Sequence, residues 1–183
     1  MARVRKNIAM QGLTGILGDQ FVVRTDKAGR TIVGTKPTFK ENREFSEAQM
    51  THLEDFREAV KYAKSAKELD IYVKKAEGTP QNAYNIAVAD WFNAPQVKEL
   101  DVTAWNGQPG QTIRVKAMDD VKVDKVNVLI SDANGEVLEQ GPAEPVDELW
   151  WAYTTTTQTT GSPKVVATAR DLPGHTAEMS WQG

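Results

Sequence analysis

The chain has 183 residues, of which 40% are apolar and 26% charged, an ordinary balance for a globular protein and enough chain for one large or two small cores. It has no cysteine, which excludes disulfides, thiolate nucleophiles and cysteine metal sites. Its net charge of −3 is unevenly spread: nine Lys/Arg against four Asp/Glu over residues 1–45 (+5), six against eight over 46–96 (−2), and seven against thirteen over 97–183 (−6).

The N-terminus, "MARVRKNIAM", is basic, but glycines break the "QGLTGILGD" that follows, so no apolar signal region is predicted. No apolar run approaches the length of a membrane span. A cytoplasmic protein, or one exported by a non-classical route, is expected. Gly12, Gly15 and Gly18 recur every three residues, yet the pattern is neither GxGxxG nor a Walker loop, and it precedes strands instead of linking a strand to a helix. These glycines are read as sites of left-handed turn or close backbone approach. Leu13, Ile16 and Leu17 between them are apolar, and so short a segment cannot bury them alone. They must dock on their own domain or on a neighbouring copy. Residues 19–36 then read as a β-hairpin: "QFVVRT" and "TIVGT" flank "DKAGR", with Gly29 where the loop needs a left-handed residue. Pro37 stops the pairing, and "TFKENREF" is a polar linker carrying Phe39 and Phe45.

A helix is predicted after Ser46, because Ser46 and Gln49 form the capping box "SEAQ" and Leu53, Phe56, Val60 and Ala63 follow as an apolar stripe. "KELDIYVKKAEG" predicts a second short helix ending near Gly78. Thr79-Pro80 is the predicted start of a third, "QNAYNIAVADWFNAP", which Asn93 and Pro95 end.

From residue 97 the period changes to two. "VKELDVTAW", "QTIRVKAM", "KVNVLIS", "EVLEQG", "LWWAYTTTT", "PKVVATAR" and "HTAEMSW" are seven short strands separated by Gly/Pro turns, with Asn134-Gly135 as a hairpin turn. Such spacing predicts an immunoglobulin-like β-sandwich without the cysteine pair of antibody domains. Its alternating core comprises Ile113, Val115, Val126, Val128, Ile130, Trp151 and Tyr153, with Leu149 on the same face. The fold class is therefore α+β, divided into a basic β-hairpin arm (1–45), a helical segment (46–96) and an immunoglobulin-like sandwich (97–183).

"GLTGILGDQFVVR…TIVGTKP…FREAVKYAK" resembles the hairpin-then-helix N-terminus of uncharacterised bacterial proteins of the Bacteroidetes type. "AYNIAVADWFNAP", "GQTIRVKAMDD", "NGEVLEQGPA" and "ARDLPGH" resemble the connecting helix and sandwich of the same proteins. The resemblance implies architecture, and no substrate or catalytic residue comes with it.

Little in the chain suggests catalysis. His52 and His175 are the only histidines and are far apart; both are read as solvated surface, and no HExxH or GxSxG motif occurs. Asp119, Asp120 and Asp124, then Asp132, Asn134 and Glu136, and finally Asp171 cluster at turns, either as ordinary turn formers or as oxygen ligands for calcium. "RVRK" at residues 3–6 suits phosphate contacts, but the acidic remainder and the lack of a stacking series speak against nucleic acid. No catalytic residue, metal or cofactor is expected.

Apolar residues on outward faces are more informative. Trp150, Leu129 and Val166 fall opposite the core-facing positions of their strands, either forming a partner-binding patch or lying under the helical segment. With Leu13, Ile16, Leu17, Phe21, Val23 and Val33 of the arm they form the expected assembly interface. A +5 arm and a −6 C-terminal segment either attract one another between copies or are both ordinary solvated surface. The expected function is a non-enzymatic structural protein whose partner is itself, assembling through its arm into a filament or ordered array. The alternative is a monomeric or small-oligomer binding or adhesion module, such as a phage-like or injection-system accessory protein.

Overall fold

Ser46 takes extended backbone (φ −66°, ψ 159°); its hydroxyl accepts the Gln49 N–H at 3.3 Å, and the Gln49 side-chain oxygen accepts the Ser46 N–H at 3.1 Å. This reciprocal cap, as predicted, starts α1 (Glu47–Ala66). Ser46→Ala is expected to remove about 1 kcal/mol of local stability. Hydrogen exchange should then quicken about fivefold at the Gln49 and Met50 amides, with the sandwich amides unchanged.

The computed structural model describes residues 2–4, 13–38 and 44–183; Arg5, Lys6, Gly12 and Phe39 lie outside them. The chain divides into two compact units, Met1–Ile86 and Ala87–Gly183. Arm and helical segment thus share the first unit, and the last residues of the third helix belong with the strands of the second.

In the first unit the predicted hairpin is the middle of a larger sheet. Strands β1 (Ala2–Val4), β2 (Gly15–Leu17), β3 (Phe21–Thr25) and β4 (Thr31–Thr35) pair antiparallel in the order β1-β4-β3-β2. The glycine-spaced stretch is a strand because its end reverses sharply. Gly18 (φ +57°) and Asp19 (φ +55°) both take the left-handed conformation, which lets Leu17 pair with Phe21. Gly29 (φ +73°) fills the left-handed position foreseen for it between β3 and β4. In that loop the Asp26 carboxylate accepts the Arg30 N–H at 2.8 Å and the Arg30 guanidinium at 2.6 Å. The Arg30 backbone N–H, more than its side chain, holds the Asp26 carboxyl below the usual range.

Among the described residues two helices follow α1. The first, α2 (Asp70–Ala76), ends where Gly78 was expected to end it. The next, α3 (Ala83–Phe92), does not start at Thr79-Pro80. Asn82 caps it, accepting the Asn85 N–H at 2.7 Å, while the Thr79 hydroxyl turns back to the Ala76 carbonyl at 3.0 Å. The expected stripe on α1 holds at Ala63, which is buried, and in part at Val60, which is half-buried, and is corrected at its N-terminal half. Leu53 and Phe56 are exposed (38% and 47%), and the buried seam is made of Ala59, Ala63 and Ala66. Close packing needs small residues there, so the long apolar side chains lie nearer the open N-terminal end. Tyr62 and Tyr72 join α1 to α2, their hydroxyls 2.6 Å apart and their rings edge-to-face.

The second unit holds seven strands: β5 (Gln96–Asp101), β6 (Thr112–Met118), β7 (Val123–Ser131), β8 (Val137–Pro145), β9 (Trp150–Thr154), β10 (Lys164–Asp171) and β11 (Thr176–Gln182). Their order is β11-β10-β7-β8-β9-β6-β5, every pairing antiparallel. Strand β8 pairs with β7 through Ala143 and then with β9 through Glu144 and Pro145, so it passes from one layer to the other. The result is a β-sandwich, and with the helices it makes the chain α+β. Strict alternation on β6, β7 and β10 delivers its core: Ile113, Val115, Ala117, Val126, Val128, Ile130, Val165, Ala167 and Ala169, with Tyr153 and Trp105. Trp151 packs partly buried against it. Leu149, expected on the core face, is 40% exposed, because it precedes β9 and lies in the turn held by Asp147.

Candidate functional site

The polar residues of the second unit are mostly occupied in holding turns. The Asp119 carboxylate accepts the Val121 and Lys122 N–H groups (3.0 and 2.9 Å), and Asp132 accepts those of Asn134 and Glu136 (2.9 and 2.8 Å). Asp171 accepts those of Gly174 and His175 (2.7 and 2.6 Å). These are the self-bonded turns that Asp forms by preference. The Glu136 backbone N–H, first among several donors, holds the Asp132 carboxyl low. Among the described residues no group of three or more His, Cys, Asp or Glu is placed to hold a metal ion.

His175 is not the solvated residue its sequence context suggests. Its Nδ1 lies 3.2 Å from the fully buried Asp171 carboxylate, and its ring meets Trp91 edge-on at 4.9 Å. The pair braces the turn between β10 and β11. His52 lies exposed on α1.

Glu139 on β8 is a further tightly held carboxylate. Only 8% exposed, it accepts the Tyr153 hydroxyl (2.8 Å), the Thr156 N–H and hydroxyl (2.7 and 2.9 Å) and the Thr157 N–H (3.0 Å). Burial alone would raise its pKa, but these four donors outweigh burial and hold it below the usual value. Burial, then the hydrogen bond to Glu139 and its charge, push the Tyr153 phenol up to about 12. This group ties the segment after β9 to the sandwich and presents no free nucleophile.

The expected interface residues fall on several surfaces. By register, Leu17, Phe21, Val23 and Val33 share one face of the first unit's sheet, and Ile16 lies on the other. Val23 is buried (4%) and Val33 half-buried, whereas Leu17 (50%), Phe21 (41%), Ile16 (63%) and Leu13 (42%) are exposed. An apolar row therefore runs from a covered part of the sheet to an open part. In the second unit Leu129 and Val166 are directly paired, half-buried, on the outer face of β7 and β10. Trp150 is apart from them, on β9, with the Arg114 guanidinium 4.6 Å and the Lys116 ammonium 5.6 Å from its ring centre. The three do not make one patch, because β9 and the β7–β10 pair belong to different layers.

One feature escaped the sequence reading altogether. A cavity of about 200 Å³ is lined by Trp105, Asn106, Gly107, Thr159, Pro163 and Trp181, among others. Its two indoles are edge-to-face with centres 6.3 Å apart. Trp105 and Thr159 are 7% and 6% exposed, and the Trp105 Nε1–H and the Thr159 hydroxyl have no hydrogen-bond partner. No periodic or motif signal links residues so distant in the chain.

No family model and no curated protein matches the chain. Among solved structures it is similar to CopC from Methylosinus trichosporium (14% identity, 48% of this chain and 89% of that one, TM-score 0.37). It is also similar to a lipoprotein from Bacteroides thetaiotaomicron (14%, 49% and 77%, 0.28) and to a conjugative transposon lipoprotein from Bacteroides eggerthii (14%, 48% and 92%, 0.26). The last two come from Bacteroides. Those two are lipoproteins, at odds with the expected cytoplasmic or non-classically exported location; that expectation is withdrawn and no other takes its place. At these TM-scores nothing about activity passes from these proteins to this chain. Among the described residues no helix is long and apolar enough to cross a membrane.

Proposed function

We propose that this is a non-enzymatic protein that self-associates through its first unit and carries an immunoglobulin-type sandwich as its second. One observation carries the reading: an open apolar row, Leu17 and Phe21, continues the buried Val23 row and ends at β2, the edge strand of the sheet. An edge strand offers unpaired N–H and C=O groups to another chain, and apolar side chains beside it favour coverage. A second copy is the fitting occupant, because the +5 N-terminal segment and the −6 C-terminal segment attract between copies. A contact of this head-to-tail kind repeats into a filament when its rotation does not close.

The immunoglobulin-type assignment draws on strand order. Strands β5, β6 and β9 with the end of β8 form one layer; β7, β10 and β11 with the start of β8 form the other. This matches the ABED/CFG division of constant-type domains if β5 to β11 are read as A to G.

Sedimentation velocity on the full chain tests self-association. Species larger than one chain are expected at low salt, falling in size as ionic strength rises past the range where surface charge is screened. A single monomeric boundary at high concentration and low salt would refute the reading.

A further inference from the structure

We propose that the groove where α3 turns into β5 receives helix α1 of a second copy of the chain. This contact presupposes the self-association proposed above and adds a second surface to it. Every residue of α1 from 47 to 58 is exposed, and burial begins only at Ala59. A helical stretch of this length is marginal in water by itself, and helices in proteins draw most of their stability from packing one face. Met50, Leu53, Arg57, Val60 and Lys64 follow at spacings of 3, 4, 3 and 4, so they form one row along the helix. Met50 and Leu53 are 51% and 38% exposed; Arg57 and Lys64 are exposed, and Val60 is half-buried. Glu47, Glu54 and Glu58, spaced 7 and 4, run along a different side. The row is therefore apolar and cationic, with the acids of the helix set apart from it.

The groove has the complementary character. It encloses about 420 Å³ and lies between the segment from Phe92 to Gln96 and the end of β6. Phe92, Pro95 and Met118 give it apolar walls, and Phe92 and Met118 are 41% and 42% exposed. Beside them Asp120, exposed, and Asp119, half-buried, add two negative charges, and no Lys, Arg or His is among the lining residues. Both carboxylates are fixed in place: Asp120 accepts the Asn93 side-chain amide at 2.6 Å, and Asp119 accepts the Val121 and Lys122 N–H groups. Lys98 meets the lining through the Gln96 side chain. A segment that is apolar and cationic suits this surface, and an acidic one is repelled.

The charge pattern selects α1 over the open row of the first unit's sheet. In β2, β3 and β4 the face that holds Leu17 and Phe21 carries no Lys or Arg, since register puts Arg24 on the other face. An amphipathic helix laying its apolar side into a groove is a recurrent mode of recognition. Helix and groove are different surfaces and each copy offers both, so the contact is head-to-tail. Edge strand and groove act together, and neither contact alone holds the assembly.

The chain has no cysteine, so a single introduced cysteine reports on its own surroundings. Full-length chains carrying Leu53→Cys are mixed with full-length chains carrying Met118→Cys and treated with a short bismaleimide linker. A covalent dimer of the two different chains is expected, forming several times faster than a dimer of either variant with itself. In sedimentation velocity at low salt, Arg57→Glu and Met118→Lys should each weaken association about tenfold. Both positions are exposed, so the melting temperatures should hold. If the unmodified chain is larger than a monomer but Leu53→Cys links to itself as fast as to Met118→Cys, or the two do not link, the groove contact is overturned and self-association stands. Unchanged association in folded Arg57→Glu and Met118→Lys overturns the groove contact as well. An unmodified chain that sediments only as a monomer removes self-association and this contact together.

Discussion

Replacing Glu139 by alanine is expected to lower the melting temperature of the second unit by more than 10 °C. Four donors converge on this carboxylate: the Tyr153 hydroxyl, the Thr156 N–H and hydroxyl, and the Thr157 N–H. Hydrogen bonds to a charged acceptor contribute roughly 1.5–3 kcal/mol each, and they share one group, so they do not add fully. A loss of about 3 kcal/mol is a conservative sum, and each kcal/mol moves the midpoint by about 4–8 °C in a unit of this size. A shift under 3 °C by circular dichroism would show that water replaces the carboxylate at little cost. The same pair sets a pH window. Glu139 is held low when folded, so its stabilisation is complete above its unfolded value near 4.5 and is lost as pH falls through the depressed folded value. Tyr153 is raised from 10.0 to about 12, so its contribution is complete below pH 10 and is lost as pH rises from there toward 12. Glu139→Gln should flatten the acid limb selectively.

Leu17→Asp is expected to disperse the assembly without unfolding the chain, whereas Val23→Asp is expected to lower the melting temperature of the first unit. Leu17 is half exposed on the edge strand, so its contribution of roughly 1.5–3 kcal/mol arises only when another copy covers it. Losing about 3 kcal/mol at each contact weakens association about 100-fold, and burying a carboxylate there weakens it further. Val23 is already 4% exposed within one chain, so an aspartate there destabilises the first unit itself. Light scattering and thermal melts on the two variants separate the outcomes. If Leu17→Asp lowers the melting temperature and leaves the particle size alone, the apolar row serves the chain's own fold and the assembly model fails. Deleting residues 1–37 should leave the sandwich unit folded, since its core lies wholly within 97–169.

Local chemistry is what the amino-acid sequence determined unaided. The Ser46–Gln49 box depends on two side chains three residues apart, and the Asn134-Gly135 turn on one residue that tolerates positive φ (Gly135, +88°). The alternation in "QTIRVKAM" and "KVNVLIS" depends only on a period of two, and all five core positions assigned there are buried; on β9 Tyr153 is buried and Trp151 partly so. Where the signal is short or the partner distant, tertiary structure decided. Strands β1 and β2 are three residues each, too few to show a period, and they exist through pairing with β4 and β3. The seam of α1 is alanine because close approach selects small side chains, against the hydrophobicity that Leu53 and Phe56 advertise. The pairing of Leu129 with Val166, the cations over Trp150, and the meeting of Trp105, Thr159 and Trp181 all join residues far apart in the chain. A linear pattern carries no information on such contacts, because they arise from strand order and from the crossing of β8 between layers, which only the folded sandwich establishes.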